Sequence, residues 1–438
     1  MPKAYLRVFG CQMNKLDGEI VRSRLMEAGY EIVREPEEAD VILFETCSVR
    51  EHAEQRALSR IGSTKALHKR RPDLVVGVVG CMAQRMGRRL LDTFPHLGLV
   101  CGTRAFTEIA ALIDQVRLTG EPVVQVPESL PEGFFRRNAR HRPSHHRAYV
   151  CAMRGCNNSC AYCVVPALRG REVSRPHGDI VAEVEALASD GVKEIILLGQ
   201  NIDSYGRDLP DGHGLAGLLD RLNALESIVR IRFITSHPKD LSPALPQAMA
   251  RLDKVCEHLH LPPQSGSDRI LKLMGRGYTR ARYREIVSGL RDAVPSVGLA
   301  GDFIVGFPTE TEEDFEQTLS LLSELNFRQC FIFKYSPRPG TRAARLPDDV
   351  SAEDKARRHY TLLKTQEQIA LQRNRGMIGN VVEILADAPS KKNPARLTGR
   401  TRQNDLVLVE AGTELIGQLV SVRITAASPV ALYGELAD

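Results

Sequence analysis

The 438-residue sequence predicts an α/β protein in three parts: an N-terminal doubly wound parallel sheet, a central partial (β/α)6 barrel and a small C-terminal all-β barrel. Three observations carry this reading. Short apolar runs alternate with helical patterns over residues 1–120, as in successive βα units. After a proline-rich stretch the alternation resumes at Ala148 and continues for six units. Beyond residue 376 the helical period disappears and short alternating strands replace it. The predicted boundaries are 1–120, a basic linker 121–147, a barrel with a long helix 148–375, and a tail 376–438.

The first part places strands at Tyr5–Phe9, Val41–Phe44, Leu74–Val79 and Leu97–Val100. Helices are expected at Asp17–Ala28, Val49–Leu67, 84–93 and Phe106–Leu118. The second part places strands at Ala148–Met153, Glu194–Leu198, Arg230–Thr235, Glu257–Leu261, Leu299–Val305 and Cys330–Tyr335, with helices between them. Thr309 and Glu312 match a capping box before the helix Thr311–Leu325. Ser351–Asn374 reads as a long charged amphipathic helix, and Val381–Leu385, Asp405–Val409 and Leu419–Ile424 as strands of the tail.

Composition is that of an ordinary soluble globular protein, 43% hydrophobic and 26% charged. The opening residues lack the apolar core of a signal peptide, and no apolar run is long enough to span a membrane. Ten cysteines in such a chain argue for reduced thiols or metal ligands in the cytoplasm, not disulfides. The net charge of +5 is mild, but two runs concentrate it. Arg136, Arg137, Arg140, Arg142 and Arg147 form one, with His141, His145 and His146 among them. Lys391, Lys392, Arg396, Arg400 and Arg402 form the other. Acid-free basic runs are the footprint of a nucleic-acid partner, or else a solvated linker and loop.

The strongest chemical signal is Cys156-Asn157-Asn158-Ser159-Cys160-Ala161-Tyr162-Cys163, spaced C-x3-C-x2-C. Electron-transfer clusters normally use four cysteines. Three leave one iron of a cubane open, as catalysis requires. A structural zinc site would need a second cysteine pair, and none follows. The spacing alone marks a site for a soft metal or a cluster. In the first part Cys11, Cys47, Cys81 and Cys101 each follow a predicted strand. Loops at the carboxyl ends of parallel strands converge on one edge of a sheet. The alternative is inert core thiols, a common state for free cysteine. Cys11, Cys47 and Cys81 lie on turns and form a candidate second metal site.

The C-x3-C-x2-C loop, with an aromatic residue before its last cysteine, resembles the radical S-adenosylmethionine (SAM) enzymes. Longer motifs narrow this: Phe9-Gly10-Cys11-Gln12-Met13-Asn14, Thr46-Cys47-Ser48-Val49-Arg50-Glu51, Gly80-Cys81-Met82-Ala83-Gln84, Met153-Arg154-Gly155-Cys156, Gly170–Pro176 and Tyr335–Thr341. Together they resemble the methylthiotransferases, a radical SAM family. The order matches nearly throughout: a three-cysteine domain, a radical SAM barrel and a C-terminal TRAM barrel. Cys11–Asn14, Ser48–Glu54, Arg232–Pro238 and Gly399-Arg400-Thr401 resemble most the branch acting on isopentenylated tRNA adenosine.

The resemblance implies two [4Fe-4S] clusters, one on Cys156, Cys160 and Cys163 and an auxiliary one on Cys11, Cys47 and Cys81. Cys101 is left out because the family uses three ligands there. It implies that SAM chelates the open iron and serves twice, for methylation of sulfur and for a 5′-deoxyadenosyl radical. The expected reaction is methylthio transfer to C2 of N6-isopentenyladenosine at position 37 of tRNA. Gln200, Asn201, Ser236, Gln264 and Asp302 are the expected SAM contacts, because they end barrel strands. Expected partners are the tRNA anticodon stem-loop, an electron donor protein and a sulfur source, with no membrane, and the chain is expected to act as a monomer. Two other functions fit less of the sequence: a methylthiotransferase for threonylcarbamoyl-adenosine or a ribosomal protein, and a non-catalytic iron–sulfur carrier or RNA-binding redox sensor.

Overall fold

A computed structural model describes the chain except for Arg50, Glu132, Arg136, Ala139, Arg140, His141, Pro143, Asp211 and Asp438. The first part is a six-stranded, wholly parallel sheet. Its strands lie in the order Glu31–Ile32, Lys3–Val8, Val41–Thr46, Val75–Gly80, Leu99–Cys101 and Val123–Gln125. Val41–Thr46 and Val75–Gly80 are buried along their whole length. This is why they read as unbroken apolar runs and not as alternating strands. Glu31–Ile32 and Val123–Gln125 are too short to show a period, and the second lies in the stretch expected as linker. The chain order reverses between Lys3–Val8 and Val41–Thr46, and the crevice outside such a switch point is where doubly wound sheets bind ligands. Cys11 and Cys47 follow those two strands.

The central part contains six parallel strands in two triplets. Arg147–Cys151, Glu194–Leu198 and Arg230–Ile234 form one. His258–His260, Gly298–Val305 and Gln329–Lys334 form the other. Between Arg230–Ile234 and His258–His260 the ladder thins to an isolated bridge, Ile231 to Val255, and a backbone bond from Ser236 N to His260 O. The barrel is therefore splayed as well as open. One continuous apolar core lies between these strands and their helices. The capping box is found two residues later than expected. Thr311 Oγ1 accepts from Asp314 N, and Asp314 accepts from Thr311 N. Thr309 instead sits at φ 67° and takes no part in it.

The tail is a closed five-stranded barrel of Val381–Pro389, Arg396–Arg400, Leu406–Glu410, Leu432–Leu436 and Leu419–Ala427. It docks on the end of the central barrel where the strands begin. Arg230 Nη1 donates to Arg400 O at 2.6 Å. Arg232 donates to Arg402 O at 2.8 Å and Thr401 O at 2.7 Å, and its Nε holds Glu194 at 2.8 Å. Arg402 pairs with Glu257 at 2.7 Å, and Arg328 pairs with Asp405. Two segments that carried the family resemblance, Arg232–Pro238 and Gly399-Arg400-Thr401, thus meet each other in this joint. Arg232→Ala leaves Glu194 buried and uncompensated, a loss of about 3–5 kcal/mol. Thermal unfolding should show a clearly lowered midpoint, and hydrogen exchange should show residues 376–438 opening first; an unchanged midpoint would contradict this docking role.

Candidate active site

Cys11, Cys47 and Cys81 come together at the carboxyl edge of the N-terminal sheet. Gly10 makes the approach feasible. Its φ of 112° suits glycine, and a Cβ there would lie 2.4 Å from Cys47 Cβ. Cys11 Sγ donates to Asn14 Oδ1 at 3.0 Å, and Asn14 Nδ2 donates to Glu45 at 2.7 Å and Thr46 O at 2.8 Å. The Cys11 thiol is drawn down to about 6, first by its hydrogen bond with Cys47 and further by the Arg169 charge, against burial. Burial pushes the Cys81 thiol up to about 11. Cys101 sits at the same edge but is fully buried in the core, its thiol raised by burial and its Sγ directed at Gly102 O. Cys151 is likewise a core thiol, turned onto Met153 O at 3.4 Å.

The second triad lies on the loop after the first barrel strand. Gly155 has φ 80°, and a Cβ there would lie 1.9 Å from Arg171 O. Gly155 N donates to Gln200 Oε1 at 2.6 Å. Asn158 and Asn201 both donate to Asp240 Oδ2, at 2.8 and 2.9 Å. Arg276 Nη1 stands 3.4 Å from both Cys160 Sγ and Tyr162 Oη. His237 Nε2 is 3.9 Å from Cys160 Sγ, and burial, aided by Arg276, holds the imidazole down at about 3 and therefore neutral. Burial raises Cys156 to about 11 and Cys163 to about 12. Ligation by these thiols must release protons, so metal uptake here is coupled to pH.

The two triads adjoin. Cys81 forms a small buried cluster with Val164 and Leu168, and Val164 directly follows Cys163. Thr103 Oγ1 donates to Leu168 O at 2.6 Å. Beneath them Asp17, from helix Gln12–Glu27, accepts from Arg154 and, at 2.8 Å, from Arg169. Arg169 Nη2 also reaches Cys81 Sγ at 3.4 Å, while its Nη1 is buried without a partner, as is Glu45 Oε2. A soft thiolate donor set beside a buried cation fits an anionic, sulfur-rich group. Among the described residues no three His, Cys, Asp or Glu side chains converge closely enough to clasp a single ion.

Of the five expected SAM contacts, Gln200 and Asn201 hold the cysteine loop, and Asn201 keeps Oδ1 buried and unpartnered. Ser236 donates to Asp203 at 3.1 Å, and Asp302 pairs with His260 at 3.1 Å. Gln264 sits at φ 68° and Thr235 at φ 75°. Such non-glycine outliers gather at functional sites. Sequence reasoning missed Asp17, Arg169, Asp240 and Arg276. Only Arg276 carried a local signal, since it is flanked by Gly275 and Gly277, both with positive φ.

Several described residues of the basic runs expected to face nucleic acid are turned into ion pairs with the protein's own acids. Arg137 is buried between Glu19 and Glu183, Arg142 pairs with Asp190 at 2.6 Å, and His146 and Arg147 both hold Asp387 at 3.0 Å. Arg402 belongs to the C-terminal joint, and Arg396 pairs with Glu410. Arg136, Arg140 and His141 lie outside the described residues, as does Arg50 of the Cys47 motif. Lys391 and Lys392 remain exposed. A larger exposed basic face lies elsewhere: residues 51–92 hold nine Lys/Arg against four Asp/Glu. Arg56, Arg60, Lys65, Lys69, Arg70, Arg88 and Arg89 are all exposed. This face begins beside the site, where Arg338 from the last barrel loop bonds Val49 O and pairs with Glu54.

Comparison with known proteins places these features. Residues 3–102 match the uncharacterized protein family UPF0004, residues 150–322 the radical SAM superfamily and residues 375–437 the TRAM domain. Solved structures agree in fold. One is the radical S-adenosylmethionine methyltransferase TsrM from Kitasatospora setae, with TM-score 0.55 and 16% identity over 78% of this chain and 75% of that one. Another is the cobalamin-dependent S-adenosylmethionine radical enzyme OxsB, with TM-score 0.52 and 14% identity over 84% of this chain and 56% of that one.

Full-length relatives are far more similar. The tRNA-2-methylthio-N(6)-dimethylallyladenosine synthase of Moorella thermoacetica is 46% identical over 435 residues, 98% of this chain and 97% of the relative. That of Dictyoglomus thermophilum is 44% identical over 439 residues, covering 100% and 99%. The chain belongs to the tRNA-2-methylthio-N(6)-dimethylallyladenosine synthase family of radical SAM methylthiotransferases.

Proposed function

We propose that this chain adds a methylthio group to C2 of N6-isopentenyladenosine at position 37 of tRNA. One observation carries the reading: two cysteine triads, from different parts of the chain, adjoin where Cys81 packs on Val164 and Leu168. A reaction that both delivers sulfur and opens an aromatic C–H bond needs two such groups side by side. In this reading Cys156, Cys160 and Cys163 hold the SAM-binding [4Fe-4S] cluster, and Cys11, Cys47 and Cys81 the auxiliary one. These cofactors supply the radical and the methylthio sulfur; the chain supplies position and exclusion of water.

Gln200, Asn158 and Asn201 fix the cysteine loop through Gly155 and Asp240. Gln200, Asn201, Ser236, Gln264 and Asp302 are the strand-end polar groups that orient SAM, and of these Asn201 Oδ1 is buried without a partner. Arg276 sets a positive charge beside Cys160, and His237 stands on the same sulfur as a neutral imidazole. The substrate base must leave its stack to reach this site, which an anticodon loop allows.

The tRNA track follows the N-terminal basic face. The TRAM barrel docks at the strand starts, opposite the cysteine loops, so it grips RNA away from the chemistry or closes the barrel floor. An electron donor protein and a sulfur source complete the reaction, and the enzyme works as a cytoplasmic monomer. No helix among the described residues is long and apolar enough to cross a membrane.

Two predictions test this reading. Cys160→Ala should abolish reductive SAM cleavage. Cys47→Ala should retain 5′-deoxyadenosine formation yet yield no methylthiolated nucleoside by mass spectrometry of isopentenylated tRNA; loss of both activities in both variants, or of neither, would contradict the division of labour. Arg56→Gln/Arg60→Gln should weaken tRNA binding and flatten its salt dependence by about one unit of log–log slope for each phosphate no longer neutralised. An unchanged affinity and slope would move the RNA track elsewhere.

A further inference from the structure

We infer that Arg169 and Asp17 set the reduction potential of the N-terminal cluster, with opposite signs, from a buried charge network shared by both cysteine sites. The inference rests on the proposal that Cys11, Cys47 and Cys81 hold a cluster. Asp17 is fully buried and clasped by two buried guanidiniums, Arg154 and Arg169. Two buried guanidiniums thus face one buried carboxylate in a water-poor setting. A buried guanidinium is costly unless something answers each of its donors.

What answers it is visible in the donor directions. Arg169 Nη2 points at Cys81 Sγ at 3.4 Å, and its Nη1 is a buried donor without a partner. Arg169 reaches this position because the short helix Val165–Arg169 docks on the N-terminal site through Thr103 and Cys81. A three-thiolate cubane is an anion that gains a further negative charge on reduction. A fixed cation within hydrogen-bond reach of one ligand sulfur stabilises the reduced form more than the oxidised one, and hydrogen bonds to sulfur act in the same direction. Asp17 opposes this with a charge of the other sign. Arg154 ties the same carboxylate to the residue pair preceding Cys156, so a change at either cluster loop is felt through one group. Arg169 is thus a positioning residue that acts through the cluster's ligand sulfur.

The test is an anaerobic redox titration followed by electron paramagnetic resonance. It uses full-length protein carrying Cys156→Ala/Cys160→Ala/Cys163→Ala, so that only the N-terminal cluster reports. Arg169→Gln should lower the midpoint, reducing the reduced-to-oxidised ratio at the parent midpoint about tenfold, or about 59 mV for one electron. Arg169→Lys should stay near the parent, and Asp17→Asn should move the midpoint upward. Where Asp17→Asn fails to retain iron, the contrast between Arg169→Gln and Arg169→Lys decides. An unmoved midpoint in Arg169→Gln with full iron content overturns the inference alone, as does a shift of the same sign in Arg169→Gln and Asp17→Asn. Absence of any cluster from the parent overturns the assignment of Cys11, Cys47 and Cys81 as ligands, and the inference with it.

Discussion

The buried contact of Asp17 with Arg154 and Arg169 holds the two halves of the site in register. All three side chains are almost wholly buried, so the ion pairs are poorly screened, and breaking one leaves a charge stranded in apolar surroundings. The carboxylate comes from the first helix of the N-terminal sheet. The guanidiniums come from either end of the cysteine loop of the barrel. Cys81 packs on Val164 and Leu168 beside this contact, with its Sγ 3.4 Å from Arg169 Nη2. Two residues further along the helix Gln12–Glu27, Arg137 bridges Glu19 to Glu183 of the barrel, a second buried tie with the charges reversed.

The opposite end of the barrel is organised by arginines as well, but to a different end. Arg230 and Arg232 direct their donors at backbone carbonyls of the C-terminal barrel. One pole of the central barrel is therefore sealed by a structural joint, and the other is left open to chemistry. This polarity is the usual one for parallel barrels, with stability at the strand starts and function at the strand ends. It also separates the TRAM barrel from the cysteine loops by the full height of the strands. An RNA that touches both must run along the flank of the molecule, and the exposed arginines of Glu51–Ser63 lie on the rim that the N-terminal part provides.

Much of this was legible in the sequence. The barrel strands and helices are found within a few residues of their expected places, because each unit has a strong and simple period, as in Glu194–Leu198 and His177–Ser189. The cysteines were legible because C-x3-C-x2-C is local and because parallel sheets bring successive strand ends together. Charge was misread. Arg137, Arg142 and Arg402 look like a nucleic-acid surface in one dimension, yet their acids lie on distant segments, as with Arg402 and Glu257. The Asp17–Arg169 pair spans 152 positions and leaves no local trace. Gln200 was placed at the right strand end, but its bond to Gly155 N in the adjacent loop leaves no trace in the sequence.

The central claim is that two clusters lie against one another across the Asp17 joint. The most direct measurement is the electron paramagnetic resonance spectrum of the anaerobically reconstituted, fully reduced protein. The structure predicts two paramagnetic clusters whose signals are broadened or split by their mutual dipolar coupling. Each signal should sharpen when the other triad is replaced by alanines. Two narrow, independent signals in the intact protein, or a single cluster in total, would contradict the account.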